Sequence, residues 1–433
     1  MLDIRFLREN PDVIRRDLEK RGSDPRMLSL LEKTIGNEKL SRELNSAVES
    51  LRAERNKVTA EISGAKKGGR EVSPEILSRS REIPSELKGL EEKLASLKEE
   101  IRQALLRLPN ILHESVPYGK DDSENVMVRT WGEAKPLPFE PKGHEEILLS
   151  LGLIDLERAA KISGSRFYFL KGDLVLLDMA LQRFAADILV KKGFTIVNPP
   201  YIMGKEAYMG VTSLGDFEDT LYKIEGEDSY LIATSEHPIG GMLMGETLLD
   251  EDLPMKIAGI SPCFRREAGS HGKDTKGIFR VHQFNKIEQF VFCKPEDSWK
   301  FHEEIIANAE EIFQKLEIPY RIVNICTGDI GIVASKKYDL EAWMPVQGKY
   351  REMVSGSNCT SYQAVRLGIK SRRAHGLPAE YIHTLNSTAI ATTRVLVAIV
   401  ENFQTLEGAV KLPKALWPYM GGKTELKPVE KKA

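Results

Sequence analysis

The 433-residue sequence contains few cysteines and no long apolar run, and these absences exclude several classes of protein. Cys263, Cys293, Cys326 and Cys359 are scattered and form no C-x-x-C pair, which argues against a disulfide framework and against a zinc knuckle. No uncharged apolar stretch approaches the ~18 residues that a membrane span requires, and the beginning of the chain shows no apolar segment typical of an export signal. We therefore expect a protein of the reducing cytoplasm without a membrane segment.

An excess of charge of one sign is also lacking. The chain has 62 basic and 64 acidic side chains and a formal net charge of −2, so a nucleic-acid partner would have to bind a local basic surface. The hydrophobic content of 41% over 433 residues is enough for two or three domains with a sizeable core.

The most informative stretch is residues 263–290, which read CFRREAGSHGKDTKGIFRVHQFNKIEQF. Two apolar, β-prone segments enclose a polar, glycine-bearing centre, and this pattern predicts two antiparallel strands joined by a long loop. Arg265, Arg266 and Glu267 leave the first strand, and Arg280 enters the second. Guanidinium groups pair with carboxylates or phosphates, and carboxylates accept from amines, so these charges suit a ligand that carries both. A solvated hairpin with ordinary surface ion pairs would show the same charge pattern.

The same stretch resembles the second signature motif of class II aminoacyl-tRNA synthetases, in which Phe-Arg-x-Glu and Arg-x-x-x-Phe are joined by a loop. The two halves here are residues 264–267 and residues 280–284. The run over residues 267–277, together with Arg-Val-His-Gln-Phe, is similar to that of seryl-tRNA synthetases in particular. A match of this length is far more specific than a short motif, and it favours a ligand site over a solvated hairpin.

The first quarter of the chain predicts helices. Residues 1–26 have apolar positions at helical spacing and predict a short helical lead-in. Residues 27–108 carry two heptad-like apolar stripes separated by a glycine- and lysine-rich break, and residues 73–75 (Ser-Pro-Glu) are typical of a helix start. Two stripes on either side of one turn predict an antiparallel helical hairpin. Pro84 is expected to kink or restart the second helix.

A helical hairpin of 35 to 40 residues per helix would be roughly 50 to 60 Å long, at about 1.5 Å per residue. Lys66, Lys67 and Arg70 lie at its expected tip, and they suit a phosphate backbone. On pattern alone, a solvated coiled coil or a dimerisation rod is equally open. The resemblance to seryl-tRNA synthetases implies that the arm domain, residues 1–108, binds the long variable arm of tRNA(Ser), usually across the two subunits of a homodimer.

The remainder of the chain predicts a linker and a catalytic domain. Residues 109–141 are rich in proline and acidic side chains and predict a linker before a domain at 142–433. A helix over 174–190, followed by a strand over 193–201, resembles the first class II motif, whose family role is the dimer interface and in which Pro200 would be the matching residue. The expected fold class is α+β, with an N-terminal long antiparallel two-helix coiled-coil arm and a class II domain built on an antiparallel β-sheet flanked by helices.

A candidate amino-acid site begins at residues 231–238, which read LIATSEHP. A hydroxyl and a carboxylate at one strand end suit a small polar zwitterion, although Ser or Thr followed by Glu is also typical of a helix cap. The resemblance implies that Thr234 and Glu236 contact serine. It implies the same role for a further set of residues: Arg265, Glu288, Asn386 and Thr388.

A candidate nucleotide site follows from the resemblance. Glu352 and Ser355 offer oxygen ligands of the kind that Mg²⁺ accepts beside phosphates, and the matching family residues lie beside the phosphates of ATP and their metal ion. Arg265 would contact the α-phosphate, Glu267 the adenine side and Phe284 the face of the base. The residues expected to bind ATP are Arg265, Arg266, Glu267, Val281, Phe284, Glu352, Met353, Val354, Ser355 and Arg394.

Residues 384–404 predict a strand or turn that leads into an apolar helix, and they resemble the third class II motif. Arg394 would then contact the triphosphate. Ser387, Ala389 and Thr393 stand where glycines often occur in the family. Glycine permits a close backbone approach that these three residues do not. The family pattern therefore does not predict the shape of the pocket at these positions.

The resemblance covers nearly the whole chain and implies the family's two-step reaction. L-Serine and ATP give seryl-adenylate, and the seryl group passes to the 3′ end of tRNA(Ser), with charging of tRNA(Sec) left open. Negative charge builds on the α-phosphoryl group, so positioned cations are the expected catalysts, with Arg265 foremost. Two alternatives are an enzyme that loads a carrier protein, which the long arm argues against, and a non-catalytic tRNA-binding paralogue, which has no chemical need for Arg265, Glu267, Glu352 and Arg394.

Overall fold

The computed structural model describes residues 1–213, 218–267 and 276–427. The chain divides into two compact units, Met1–Pro109 and Asn110–Ala433. The α-helices of the described residues are α1 (Ile4–Glu9), α2 (Pro11–Lys20), α3 (Pro25–Lys67), α4 (Pro74–Arg107), α5 (His144–Ser150), α6 (Leu156–Ser163), α7 (Asp173–Lys191), α8 (Lys205–Val211), α9 (Glu236–Gly241), α10 (Ser298–Lys315), α11 (Tyr362–Leu367) and α12 (Thr392–Asn402). In this part of the chain, none of the helices is long and apolar enough to cross a bilayer.

The first unit confirms the predicted helical hairpin. Helices α3 and α4 have 43 and 34 residues, which correspond to about 64 and 51 Å. Ion pairs show that the two helices are antiparallel, since partner numbers fall on α4 as they rise on α3: Lys33–Glu100, Arg52–Glu91 and Glu54–Arg79. The predicted stripes meet in a shared apolar seam formed by Val48, Leu51, Ile83, Leu87 and Leu94. Each helix therefore buries the other's stripe, as a heptad pattern requires.

Helix α4 begins as the sequence predicts but does not restart at Pro84. The hydroxyl of Ser73 accepts a hydrogen bond from the Ile76 amide at 3.3 Å, and Pro74 occupies the first turn. The helix then runs without a break through Pro84 to Arg107. The Pro84 ring is exposed, while Ile83 and Leu87 are buried on either side of it. Packing of these neighbours against α3 offsets the hydrogen bond that proline cannot make.

The second unit is built around a large sheet. The strands are β1 (Val126–Trp131), β2 (Ile154–Asp155), β3 (Phe169–Leu170), β4 (Thr195–Val197), β5 (Ile202–Gly204), β6 (Ser229–Leu231), β7 (Thr247–Leu249), β8 (Met255–Phe264), β9 (Gln283–Cys293), β10 (Tyr320–Asn324), β11 (Lys336–Met344), β12 (Lys349–Asn358), β13 (Lys370–Arg372), β14 (Glu380–Tyr381), β15 (His383–Ala391), β16 (Val410–Lys411) and β17 (Glu425–Leu426). The main sheet has eight strands in the order β1-β10-β11-β12-β15-β9-β8-β4. Adjacent strands of this sheet are antiparallel, except that β4 and β8 are parallel to each other. Shorter sheets are β14-β13-β7, β16-β17, β2-β3 and β5-β6.

The predicted hairpin of the central stretch is present as β8 and β9, with Cys263 opposite Phe284. Its loop residues 268–275, including Gly269, His271 and Gly272, lie outside the described residues. Strand β9 is buried on both faces: Ile287, Val291 and Cys293 join the core with α7, α10 and α12, whereas Phe290 and Phe292 join a second core with α8, α9 and α11. This double burial explains why the end of the strand, residues 290–293, is a continuous apolar run.

The predicted linker comprises residues 109–141, and of these, residues 110–141 lie within the second unit. The side-chain amide of Asn110 donates to the carbonyls of Val333 and Cys359 at 2.9 and 2.8 Å. Strand β1 pairs with β10 along the edge of the main sheet. The prolines therefore interrupt regular structure locally, but the backbone between them is tied to the sheet.

Candidate active site

Two neighbouring cavities open over strands β11 and β12. The smaller has a volume of about 550 Å³ and the larger about 640 Å³. Strand β12 contributes Ser355 to the smaller cavity and Glu352 to the larger, and β11 contributes Lys337 and Asp339 to them in the same order. The shared strands make the two cavities parts of one site.

The smaller cavity collects polar side chains from distant parts of the sequence. Strand alternation directs Lys286 and Glu288 of β9 to the same face as Phe290, and β12, β15 and the residue that follows β8 supply further groups. The residues that the sequence predicts to bind serine all line this cavity: Thr234, Glu236, Arg265, Glu288, Asn386 and Thr388.

Glu236 is the first residue of α9 and is held by amide donors. Its Oε1 atom accepts from Asn386 Nδ2 at 3.1 Å and from Gln363 Nε2 at 3.2 Å. Burial, reinforced by the nearby carboxylate of Glu288, raises the pKa of Glu236 to about 7. Thr234 Oγ1 accepts from the Glu236 amide at 3.1 Å and lines the cavity. The N-cap of α9 is Ser235, whose side chain makes no capping hydrogen bond, so the helix-cap alternative does not describe this site.

Glu288 forms a buried cluster with a cation and a hydroxyl. Lys286 Nζ lies 2.5 Å from Glu288 Oε2, and Thr388 Oγ1 donates to the same oxygen at 3.1 Å. Both members of the ion pair are almost fully buried, so removing either partner would be strongly destabilising. Glu236 and Arg265 line the same cavity as Glu288 and Lys286. Two carboxylates and two cations therefore lie in one small volume, an arrangement that suits a zwitterion.

Arg265 follows β8 and is fixed by several contacts. Its Nε atom donates to the Ala233 carbonyl at 3.2 Å, and its guanidinium carbon lies 5.4 Å from the centroid of the Phe284 ring. Its backbone amide donates to the His282 carbonyl at 2.9 Å. The guanidinium group is therefore held at the cavity wall before any ligand arrives, which is the condition for electrostatic preorganisation.

The larger cavity is lined by an arginine–carboxylate pair. Arg394 Nη1 donates to Glu352 Oε1 at 3.1 Å and to the Glu352 carbonyl at 2.9 Å. Partial desolvation opposes ionisation of Glu352, whose side chain is 49% exposed, but the positive charges of Arg394, Lys337 and Arg265 outweigh it and lower the pKa of this carboxyl. The guanidinium carbons of Arg351 and Arg394 lie 4.7 and 5.5 Å from the centroid of the Phe279 ring.

Asp339 adds a buried carboxyl next to this pair. Burial raises the pKa of Asp339 to about 7, and the charge of Glu352 adds to the shift while Lys337 opposes it. Its Oδ1 atom is buried without a hydrogen-bond partner, and its strand neighbour in β12 is Ser355. Glu352, Ser355 and Asp339 therefore bring several oxygen atoms together where the two cavities meet.

The remaining predicted nucleotide residues lie in different surroundings. Glu267 accepts from Arg280 Nη1 at 2.9 Å, which joins the two halves of the motif, and Arg266 is exposed. The side chains of Val281, Met353 and Val354 are buried in the main core, so only their backbone groups are candidates for ligand contact.

In the first unit, three basic side chains are exposed at the end of α3 and in the turn after it: Lys66, Lys67 and Arg70.

Two family models match the chain. The seryl-tRNA synthetase N-terminal domain matches residues 1–112, and the class II tRNA synthetase core domain (G, H, P, S and T) matches residues 220–403. A serine–tRNA ligase of Methanocella arvoryzae is 56% identical over 423 residues, which cover 98% of this chain and 99% of the relative. The chain belongs to the seryl-tRNA synthetase family. A serine–tRNA ligase of Thermococcus sibiricus is 53% identical over 452 residues, with 100% and 99% covered.

Solved structures of the family agree with this assignment. The seryl-tRNA synthetase of Pyrococcus horikoshii, complexed with ATP, superposes with a TM-score of 0.94 at 51% identity and covers 99% of this chain and 100% of its own. The cytoplasmic serine–tRNA ligase of Naegleria fowleri, in complex with AMP, gives 0.88 at 40% identity, with 99% of both chains covered. The resemblance and the α+β fold class predicted from the sequence are confirmed.

The seryl-tRNA synthetase motifs did not assign a role to every residue that lines the two cavities. The motifs leave Lys286 and Asp339 without a role, although a charged side chain inside a buried strand signals a functional position. Gln363 and Cys359 gave no such signal. They reach the Glu236–Asn386 group only through the tertiary fold, with Asn386 Nδ2 lying 3.6 Å from Cys359 Sγ.

Proposed function

We propose that this chain is a serine–tRNA ligase, which forms seryl-adenylate from L-serine and ATP and then transfers the seryl group to the 3′ end of tRNA(Ser). The observation that carries the proposal is the smaller cavity, where two carboxylates, three cations and small polar groups converge beside a cavity lined by arginines. A zwitterion and a triphosphate would each meet complementary charge there.

The proposed serine site follows from the charges of the smaller cavity. Glu236, with support from Glu288, binds the ammonium group, and Arg265 binds the carboxylate. Thr388 and Asn386 form the polar end that meets the hydroxyl, next to Thr234. Hydrogen bonds to the hydroxyl reject alanine strongly, whereas the extra methyl of threonine is excluded by fit, which contributes only about 1 to 3 kcal/mol.

The proposed reaction begins when a serine carboxylate oxygen attacks the α-phosphorus of ATP. A new O–P bond forms, the bond to the β-phosphate bridging oxygen breaks, and pyrophosphate leaves with its electron pair. Arg265 contacts the α-phosphoryl group and stabilises the negative charge that develops there, and Arg394 contacts the distal phosphates. Glu267 and Phe284 hold the adenine, with backbone groups near Val281, Met353 and Val354 and the exposed Arg266 as further contacts.

A magnesium ion fits the residues between the two cavities. Glu352 and Ser355 would hold it through oxygen atoms, and the orphaned Oδ1 of Asp339 lies beside them. Mg²⁺ prefers a carboxylate or two together with substrate phosphates. When bound, it would neutralise phosphate charge, while Arg265 and Arg394 carry out the orientation described above.

The decisive test is ATP–pyrophosphate exchange with each of the twenty amino acids, first without and then with total tRNA. Serine-dependent exchange without tRNA, followed by serylation of tRNA, is the expected result. Exchange with another amino acid would overturn the serine site and keep the class II scaffold. No exchange with any amino acid would favour a non-catalytic tRNA-binding paralogue.

The pH dependence of serine binding tests Glu236 directly. Because burial raises the pKa of Glu236 to about 7, its carboxyl is neutral in acid and cannot pair with the ammonium group of serine. The KM for serine should therefore fall as the pH rises through about 7. Glu236→Gln should raise this KM about 10- to 100-fold, the value of one charge-assisted hydrogen bond, and should remove the dependence. A pH dependence that persists in the variant would assign it to another group.

Partners and assembly complete the proposal. The exposed basic residues Lys66, Lys67 and Arg70 would contact the phosphates of tRNA(Ser), bound across a homodimer. Exposed apolar side chains of α7, the helix of the first class II motif, support an interface with a second copy: Val175, Leu176, Met179 and Val190. The cytoplasm is the proposed location, and tRNA(Sec) is a second acceptor to be tested in the same charging assay.

A further inference from the structure

A buried pair, His144 and Glu401, contacts the segment that lines the larger cavity. His144 Nδ1 lies 2.8 Å from Glu401 Oε1, and the Ile278 amide donates to His144 Nε2 at 3.2 Å. Since Nε2 accepts a hydrogen bond, Nδ1 must carry the ring proton and donate it to Glu401. The two side chains are only 11% and 2% exposed, so water cannot replace either bond readily.

The pair connects the two walls of the larger cavity. Ile278 immediately precedes Phe279 and Arg280, which line that cavity, and Glu401 stands on α12, which also carries Arg394. The segment before His144 is fastened to the end of the same helix, because Gln404 accepts from the Lys142 amide at 2.8 Å and donates to the Lys142 carbonyl at 3.0 Å. His144 is thus a buried link between α12 and the Ile278–Arg280 segment.

Gly277 shows how closely that segment approaches the imidazole. Its φ is +69°, in the left-handed region, and a Cβ atom built on it would lie 2.0 Å from His144 Nε2. A side chain at this position would have to displace the ring. The backbone at 277–278 therefore rests directly on His144, and its location depends on that of the imidazole.

We propose that His144, oriented by Glu401, is a positioning residue for the nucleotide. It sets the place of Phe279 and Arg280 relative to Arg394, so that the cations of the larger cavity meet the triphosphate together. The inference rests on the proposed function, in which this cavity receives the phosphates of ATP. The partners of His144 belong to this side of the site, so its loss should alter the use of ATP and not the binding of serine.

The test is serine-dependent ATP–pyrophosphate exchange by the full chain, with ATP and serine varied separately. His144→Leu should raise the KM for ATP about tenfold, the expected effect of leaving a buried amide without its acceptor, and should leave the KM for serine unchanged. His144→Gln keeps an acceptor for the Ile278 amide and should recover much of the loss. His383→Leu is the matched control, since this partly buried histidine contacts Ser298 Oγ at 2.9 Å at the far end of β15 and should leave both KM values unchanged.

An unchanged KM for ATP in His144→Leu, or equal rises in both KM values, would overturn the positioning role. If that variant does not fold, Gly277→Ala displaces the imidazole without removing it, and a rise in the KM for ATP alone is again expected. A wild-type chain without serine-dependent exchange would instead contradict the proposed function. Binding of ATP alone, measured by calorimetry on wild type and variants, would then still decide whether His144 positions the nucleotide.

Discussion

Arg265→Ala is expected to abolish formation of seryl-adenylate while leaving tRNA binding nearly intact. Arg265 lines the smaller cavity and is already fixed by Ala233 and Phe284, so it contributes positive charge without reorganisation where the α-phosphoryl charge develops. Loss of an arginine in that role reduces phosphoryl-transfer rates by roughly 10³-fold or more. Serine-dependent ATP–pyrophosphate exchange measures the loss, and a filter-binding assay with tRNA measures what is retained.

The control for this variant is Arg158→Ala. Arg158 belongs to the same unit and forms a surface ion pair with Asp155 at 2.6 Å, with 79% of its side chain exposed. Such pairs contribute little to stability, so exchange should match that of wild type. Wild-type exchange by Arg265→Ala would refute its catalytic assignment, and a joint loss of exchange and tRNA binding would point to misfolding instead.

Local periodicity explains which elements the sequence predicts well. The stripes of α3 and α4, the helix α7 and the β8–β9 hairpin each follow a period that is visible within a few residues, and they lie close to the predicted ranges. The local sequence around Pro84 predicts a kink or a restart of the helix. The helix α4 is instead continuous, because Ile83 and Leu87 pack in the seam between the two helices. Composition likewise suggested a linker at 109–141, but the long-range bonds of Asn110 cannot be read from composition.

The site shows the same division between local motif and tertiary contact. Arg265, Glu288 and Arg394 belong to motifs whose spacing is visible in the chain, and each lines one of the two cavities. Gln363 reaches Glu236 across 127 residues, and His144 reaches Glu401 across 257. No period or spacing links residues so far apart, so groups that orient the assigned residues emerge only from the folded chain.

Deletion of residues 35–100 is expected to spare adenylate formation and to cripple charging of tRNA. The deletion removes most of the α3–α4 seam, whereas the second unit has its own extensive core and contains both cavities. Exchange should therefore continue at nearly the wild-type rate. Loss of several phosphate contacts weakens nucleic-acid binding by about 10²-fold or more at moderate salt, so serylation at low tRNA concentration should fall by a similar factor.

A finer version of this test replaces only the exposed basic residues Lys66, Lys67 and Arg70 with alanine. Each lost phosphate contact should reduce the slope of log affinity against log salt by about 0.9, for a total of roughly 3 if all three bind phosphates. Alanine at three exposed lysines of the second unit is the matched control for charge: Lys161, Lys300 and Lys414. Undiminished charging by the deletion variant would show that the helical hairpin does not hold the tRNA. A normal charging rate with an altered slope would instead mean that the tip contacts phosphates without contributing to productive binding.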